Sequence, residues 1–257
     1  MTLLSSNGDR RRGFFVTGTD TGVGKTLVAV LLAVGLRRRG LTVGVMKPVA
    51  TGAARSQDEF GGFALVAEDT WVLHQATQQP LSLITPCAYE LPASPHLAAR
   101  HAGTGVDREH ILNTFRQLSD QFPVMVVEGV GGLLVPLRDD WLLADMARCF
   151  GLPLLVVARS GLGTLNHTLL TLEVARTRGL GVAGVIINQT AHPDHRSPGS
   201  PWSTIEQDNI GTIRRLGSVP ILGAIPYLPA LEDRDPVTMY DQAESYINWD
   251  QVIHVIK

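Results

Sequence analysis

Six apolar runs of strand length recur along the chain: GFFVTG (13–18), TVGVMK (42–47), PVMVVEG (123–129), PLLVVA (153–158), GVAGVIIN (181–188) and PILGAI (220–225). Most are continuously apolar rather than alternating, the pattern of strands covered on both faces, as in a parallel sheet. Between the runs the apolar period changes. Residues 24–39 carry Leu27, Val28, Leu31, Leu32 and Leu36 at helical spacing. Residues 107–121 open at Asp107, a candidate N-cap, and bring Ile111, Leu112, Phe115 and Leu118 onto one face. Stretches 164–178 and 203–216 read the same way. Strand and helix in alternation, joined by right-handed crossovers, predict an α/β fold: a doubly wound, mostly parallel sheet flanked by helices.

With 257 residues, 44% of them hydrophobic, the chain suits one large domain over 1–257. Residues 1–12 read as a flexible tail and 191–203 (AHPDHRSPGSPWS) as a surface loop. The stretch from Glu232 onward starts polar and is expected to wrap the surface. A net charge of −2 supplies no global field to recruit nucleic acid or an anionic membrane, so neither is expected as a partner. Of the two basic clusters, Arg10 to Arg12 falls in the tail, and Arg37 to Arg39 fits the last turn of a helix ended by Gly40. The two cysteines, Cys87 and Cys149, have neither metal-ligand nor redox spacing, and no disulfide framework exists. No apolar h-region precedes Gly13, and no apolar run reaches the ~20 residues that span a bilayer. The expectation is a soluble, cytoplasmic protein.

Chemistry enters where the first run ends. GTDTGVGKT (18–26) follows a buried strand and opens an amphipathic helix. It is a P-loop with one extra residue between the first glycine and the Gly-Lys-Thr end. Consecutive backbone N–H groups and the helix N-terminus favour a phosphate there. Lys25 reaches for the β- and γ-phosphates, and Thr26 offers its hydroxyl to Mg²⁺. A bare glycine turn needs neither. No G-x-G-x-x-G follows the first strand, so no dinucleotide fingerprint is present.

Ligands of such sheets lie beyond the carboxyl ends of the strands, and two further ends carry charge there. The second run closes with Lys47, stopped by Pro48, which places an ammonium toward the P-loop crevice or at a solvated strand end. The third closes with Glu128, followed by glycines at 129, 131 and 132. That carboxylate can hold Mg²⁺, and the glycines let backbone amides approach an anion. Asp69 offers a second carboxylate or caps a helix.

Together these segments resemble the dethiobiotin synthetase family, almost end to end, from the P-loop to about Pro229. The motifs that carry the resemblance are GTDTGVGKT, KPVATG (47–52), SPHLAA (94–99), VEGVGGLLVPL (127–137), GLGTLNHTLLT (161–171), INQ (187–189) and LGAIPYLP (222–229), in order. The resemblance implies a P-loop NTPase-like fold and a reaction. One amine of 7,8-diaminononanoate takes up CO₂; the carbamate attacks the γ-phosphate of ATP; the second amine closes the ureido ring and expels phosphate. Dethiobiotin and ADP result. It further implies that Thr21, Gly22, Val23, Gly24, Lys25, Thr26 and Leu27 bind the phosphates, and that Thr26, Asp69 and Glu128 hold Mg²⁺. Lys47 corresponds to the family's active-site lysine, acting with Lys25. Thr51 contacts substrate, and Gly129, Val130, Gly131 and Gly132 cradle the carbamate and phosphate side. Asn188 reads the adenine edge, helped by Gln189 and the backbone of Pro226, Tyr227 and Leu228. Gly163, Thr164, Leu165 and Asn166 implicate a homodimer, in which a helix N-terminus meets the substrate's acid tail bound by the other subunit. His167 beside them reads as a structural hydrogen-bonder. Many relatives carry Glu where Gly22 stands here, and the 191–203 loop is longer than the family pattern.

Three rival readings each lack a feature they require. A partitioning-type switch ATPase of the deviant P-loop class carries a signature lysine where this chain has Asp20. A cobyrinate-modifying amide ligase continues into a glutamine-hydrolysing domain, for which this chain has no room. A small-molecule kinase brings an arginine-rich lid, and none is visible.

Overall fold

The computed structural model describes residues 11–57, 63–189, 201–228 and 235–257. Residues 1–10 of the expected tail and 191–200 of the expected loop lie outside the described residues. The chain starts with β1 (Arg12–Gly18), α1 (Lys25–Arg38) and β2 (Val43–Met46). An insertion follows, made of β3 (Val49–Thr51), β4 (Ala54–Gln57), β5 (Phe63–Val66), α2 (Glu68–Thr77), α3 (Leu81–Ile84), β6 (Cys87–Tyr89) and α4 (Pro95–His101). Then come α5 (Arg108–Gln121), β7 (Val124–Glu128), β8 (Pro136–Arg138), β9 (Trp141–Leu142) and α6 (Leu143–Phe150). The chain closes with β10 (Leu154–Arg159), α7 (Thr164–Thr177), β11 (Val182–Asn188), α8 (Pro201–Gly217), β12 (Ile221–Ile225), α9 (Pro236–Ala243) and α10 (Trp249–Ile256).

The six apolar runs form one six-stranded sheet in the order β12-β11-β10-β1-β7-β2. Every pairing in it is parallel. The sheet is thus the doubly wound, helix-flanked α/β arrangement the periodicity predicts. Burial explains the continuous apolar runs: Phe14 and Val16 face one helical layer, Phe15 the other. The first layer holds α1 and the C-terminal helices, the second α5 and α6. Asp107 caps α5 as expected, its carboxylate accepting the amide of His110 at 2.9 Å. Because β1 is central and its successor β2 lies beyond β7, the chain reverses direction next to β1. A crevice opens at such a switch point.

Three boundaries differ from the sequence reading. β1 begins at Arg12, inside the expected tail, because Arg12 pairs with Val124 and its Nε donates to the Ile256 carbonyl at 2.5 Å. α8 begins at Pro201, inside the expected 191–203 loop; proline is tolerated in a helix's first turn, where its missing N–H has no intrahelical partner. The stretch after Glu232 does not merely wrap the surface. α9 buries Pro236, Met239, Tyr240 and Ala243, and α10 buries Val252 and Ile256, all but Pro236 in the core beneath α1. The spacing 236, 239, 240, 243 is a helical face.

Candidate active site

Beyond β1 the backbone folds back on its neighbours. The Gly18 amide donates to the Gly131 carbonyl at 3.3 Å and the Thr19 amide to the Val157 carbonyl at 3.0 Å. Gly22 and Gly24 take φ of +72° and +94°, left-handed values that favour glycine. At Gly24 a Cβ would also stand 2.1 Å from Asn188 Nδ2. α1 then starts with neither a side-chain cap nor an acidic residue in its first turn, which leaves its leading amides to an anion. Lys25 Nζ donates to the Asp20 carbonyl at 3.0 Å, spanning the loop. Burial, and after it the Lys47 ammonium, push the Lys25 pKa below the usual lysine value.

Beneath the loop four side chains meet. Thr26 Oγ1 lies 2.9 Å from Asp69 Oδ1 and 2.9 Å from Glu128 Oε1. Lys47 Nζ donates to Glu128 Oε1 at 2.5 Å, pairs with Asp69 Oδ2 at 2.8 Å, and reaches the Gly129 carbonyl at 3.3 Å. Lys47 and Glu128 are both almost wholly buried. Burial opposes the Lys47 charge, but Glu128 and Asp69 outweigh it and hold the pKa above the ordinary lysine value. Asp69 is held below the carboxylate range; burial would raise it, and the Lys47 ammonium outweighs that. Burial raises the Glu128 carboxyl, and the charge of Asp69 pushes the same way.

The donor set suits a hard divalent cation. Two carboxylates and a hydroxyl converge, and Glu128 Oε2 is buried with no hydrogen-bond partner among the described residues. The Thr26 hydroxyl has one hydrogen for two carboxylate neighbours, so one of its contacts sets lone pair against anion. A cation relieves that. Among the described residues no cluster of three or more His, Cys, Asp or Glu side chains is placed to hold a metal, so the candidate donors here are two carboxylates and one hydroxyl. Asp69, the second residue of α2, points to this cluster and does not cap the helix; Ala67 occupies the N-cap.

A cleft of about 750 Å³ opens over these groups. Thr21, Gly22, Gly24, Lys25, Thr26 and Leu27 line one side; Lys47, Thr51, Asp69, Glu128, Val130 and Gly131 line the rest. Val23, Gly129 and Gly132 support it from behind: the Gly129 amide donates to the Val16 carbonyl, and a Cβ on Gly132 would approach the Gly18 carbonyl to 3.2 Å. The sequence reading missed Ser94 and its neighbours Pro92, Ala93 and Pro95, although SPHLAA was among the motifs. It also missed Glu68 and Val72 of α2, and Met239, which α9 brings in from the far end of the chain.

Other expected residues stand outside the cleft lining. Asn188 is buried under the loop, its Nδ2 donating to the Val23 carbonyl at 3.1 Å. Gln189 holds the following segment: its Oε1 accepts the Tyr227 amide at 2.8 Å and its Nε2 donates to Glu206 at 3.1 Å. Pro226 to Leu228 therefore lie beside Asn188 at the sheet edge. Gly163 is the left-handed N-cap of α7, Thr164 is buried, and Leu165 and Asn166 follow on the first turn. His167 Nδ1 is buried with no hydrogen-bond partner among the described residues.

Comparison with known proteins separates family from fold. A family model described as an AAA domain matches residues 12–235. An ATP-dependent dethiobiotin synthetase BioD of Bacillus licheniformis is 36% identical over 239 residues, covering 92% of this chain and 94% of its own. That of Bacillus subtilis (strain 168) is 39% identical, covering 92% and 95%, and that of Anaeromyxobacter dehalogenans (strain 2CP-C) 40%, covering 81% and 96%. Among solved structures, the MinC:MinD cell division protein complex of Aquifex aeolicus matches with a TM-score of 0.56 at 14% identity, over 95% of both chains. A ParA family ATPase from Chlorobium tepidum TLS matches at 0.52 and 14%, over 95% and 99%. Those two likenesses show the P-loop NTPase-like fold alone. In place of the switch ATPases' signature lysine, Asp20 accepts the Thr21 amide on Oδ1 at 2.7 Å.

Proposed function

The chain belongs to the family of ATP-dependent dethiobiotin synthetases, and on that premise we propose that it closes the ureido ring of dethiobiotin from 7,8-diaminononanoate, CO₂ and ATP with Mg²⁺. It is an ATP-dependent cyclo-ligase of biotin biosynthesis. The observation that carries the finer reading is the meeting of Lys47, Thr26, Asp69 and Glu128 in a cleft roofed by the P-loop.

The loop amides and the α1 N-terminus take the triphosphate, and Lys25 exchanges the Asp20 carbonyl for the β- and γ-phosphate oxygens. Thr26, Asp69 and Glu128 would hold Mg²⁺, which when bound would neutralise charge on the triphosphate. Asn188 reads the adenine edge, with Gln189 fixing the Pro226–Leu228 backbone beside it. The diamine lies across Thr51 and the Val130–Gly131 turn. One amine adds to CO₂ and loses a proton, giving a carbamate. A carbamate oxygen displaces ADP from the γ-phosphorus, and the second amine attacks the carbamoyl carbon and expels phosphate. Lys47 places its ammonium against the carbamate and the transferring phosphoryl oxygens, stabilising charge that builds in a poorly hydrated site. Gly163, Thr164, Leu165 and Asn166 present the α7 N-terminus to the acid tail held by a second copy, so the working form is a homodimer in the cytoplasm.

Incubation with ATP, Mg²⁺, bicarbonate and the diamine should yield dethiobiotin, detected by mass. ATP hydrolysis that ignores the diamine but responds to DNA or lipid would instead favour a switch ATPase.

A further inference from the structure

Lys47 uses the same carboxylates that make the metal site. Its ammonium takes Glu128 Oε1, the oxygen that also faces Thr26 Oγ1, and spans to Asp69 Oδ2. All three of its hydrogens are spoken for: Glu128, Asp69 and the Gly129 carbonyl. In this arrangement the ammonium occupies a cation position and has no donor left for a substrate. A divalent ion on Thr26, Asp69 and Glu128 would compete for Oε1 and stand within a few ångströms of a like charge, in a buried site where repulsion is weakly screened.

We infer that Lys47 and the divalent metal exchange for one another on the Glu128–Asp69 carboxylates, so that metal loading is what frees the Lys47 ammonium toward the substrate in the cleft. This rests on Thr26, Asp69 and Glu128 being the metal site. Under it, Lys47 serves two posts in turn. It first neutralises two carboxylates that would otherwise repel across Thr26. It is then displaced toward the open side of the cleft, whose lining Lys47 already joins. Enzyme without metal therefore holds its active-site ammonium out of reach of the diamine.

The chain is unusually well suited to a direct test, because its only lysines are Lys25, Lys47 and Lys257. Mn²⁺ affinity is measured without nucleotide by the electron paramagnetic resonance of the free ion, for the wild type, Lys47→Gln and Glu128→Gln. Acetylation of Lys47 by a small amine-selective reagent is followed in parallel by peptide mass spectrometry, with Lys257 as the reference. The exchange predicts about tenfold tighter Mn²⁺ binding in Lys47→Gln. It also predicts that saturating Mn²⁺ speeds wild-type Lys47 acetylation about fivefold or more relative to Lys257, as the amine leaves its carboxylates. Should Lys47→Gln fail to fold, the acetylation of the wild type decides alone. A Lys47→Gln affinity no better than the wild type's, or Lys47 acetylation indifferent to Mn²⁺, overturns the exchange while loss of binding in Glu128→Gln leaves the metal site standing. Binding that ignores Glu128→Gln overturns both.

Discussion

Lys47 shows how far single residues can be read from a sequence. Its place after a buried strand and before Pro48 put it at the sheet edge, yet left it between crevice and solvent. The ion pairs to Glu128 and Asp69 settle that choice. Lys47→Ala should lower kcat about 10²–10³-fold, the loss typical when one transition-state donor is removed, with nucleotide affinity changed only a few-fold. Fluorescent-nucleotide titration beside steady-state kinetics separates the two, and unaltered turnover would remove Lys47 from the chemistry. Asp69 stays open in the sequence because position alone does not say whether a first-turn acid caps its helix or faces the crevice; its contacts with Thr26 and Lys47 place it in the crevice. Tyr89 carried no signal, since its partner is a carbonyl sixteen residues away. Its hydroxyl donates to the Gly105 carbonyl at 3.2 Å, and burial raises the phenol from its usual value of 10 to about 12. A pKa raised in the fold means stability that is complete below pH 10 and lost as pH climbs toward 12. The urea midpoint should therefore fall between pH 9 and pH 11.5 more steeply in the wild type than in Tyr89→Phe. Equal slopes would show that Tyr89 is not the group responsible.

At the scale of elements, length decides what is legible. The six sheet strands stand out as unbroken apolar runs, because the sheet is covered on both faces, and α1, α5, α7 and α8 because they are long enough to show a helical period. The ribbons β3–β6, β4–β5 and β8–β9 have strands of two to four residues and show none. α9 and α10 are obscured differently: polar residues on their outer faces mask an apolar stripe that shows itself only in the core shared with α1. That fit makes Gly35 informative. It lies inside α1, where alanine is ordinarily the better helix former by up to about 1 kcal/mol. A Cβ there would stand 2.1 Å from the Trp249 ring and 2.6 Å from the Tyr240 ring. Two arginines at the end of the same helix reinforce the packing, Arg38 of its last turn against Asp241 and the C-cap Arg39 over the Trp249 ring. Overpacking should win over propensity, so Gly35→Ala is expected to destabilise the protein by about 1–3 kcal/mol in urea denaturation. A stabilised variant would mean that α9 and α10 pack loosely on α1.

At the scale of the whole molecule, the parallel sheet gathers the P-loop, Lys47, Glu128 and Asn188 at one edge, while α7 begins at that same edge on the β10 side. Gly163 to Asn166 at the start of α7 do not line the cleft, so a second copy must bring them if they serve the substrate. Leu162, just before α7, is 75% exposed, and Leu170 on the helix is 56% exposed. Covering a leucine contributes roughly 1.5–3 kcal/mol, and two per subunit across a twofold axis supply four such burials. The wild type should therefore sediment as a dimer at micromolar concentration. Replacing both leucines, Leu162→Glu with Leu170→Glu, places like charges across the axis and should yield a monomer. The P-loop lies wholly within one chain, so that monomer should keep nucleotide affinity within a few-fold. Its KM for the diamine should rise sharply, because the α7 N-terminus no longer meets the acid tail. Sedimentation velocity and diamine kinetics read the two effects on one sample. A double variant that stays dimeric would place the interface on another face, and a monomer with unchanged diamine KM would leave each site complete within its own chain.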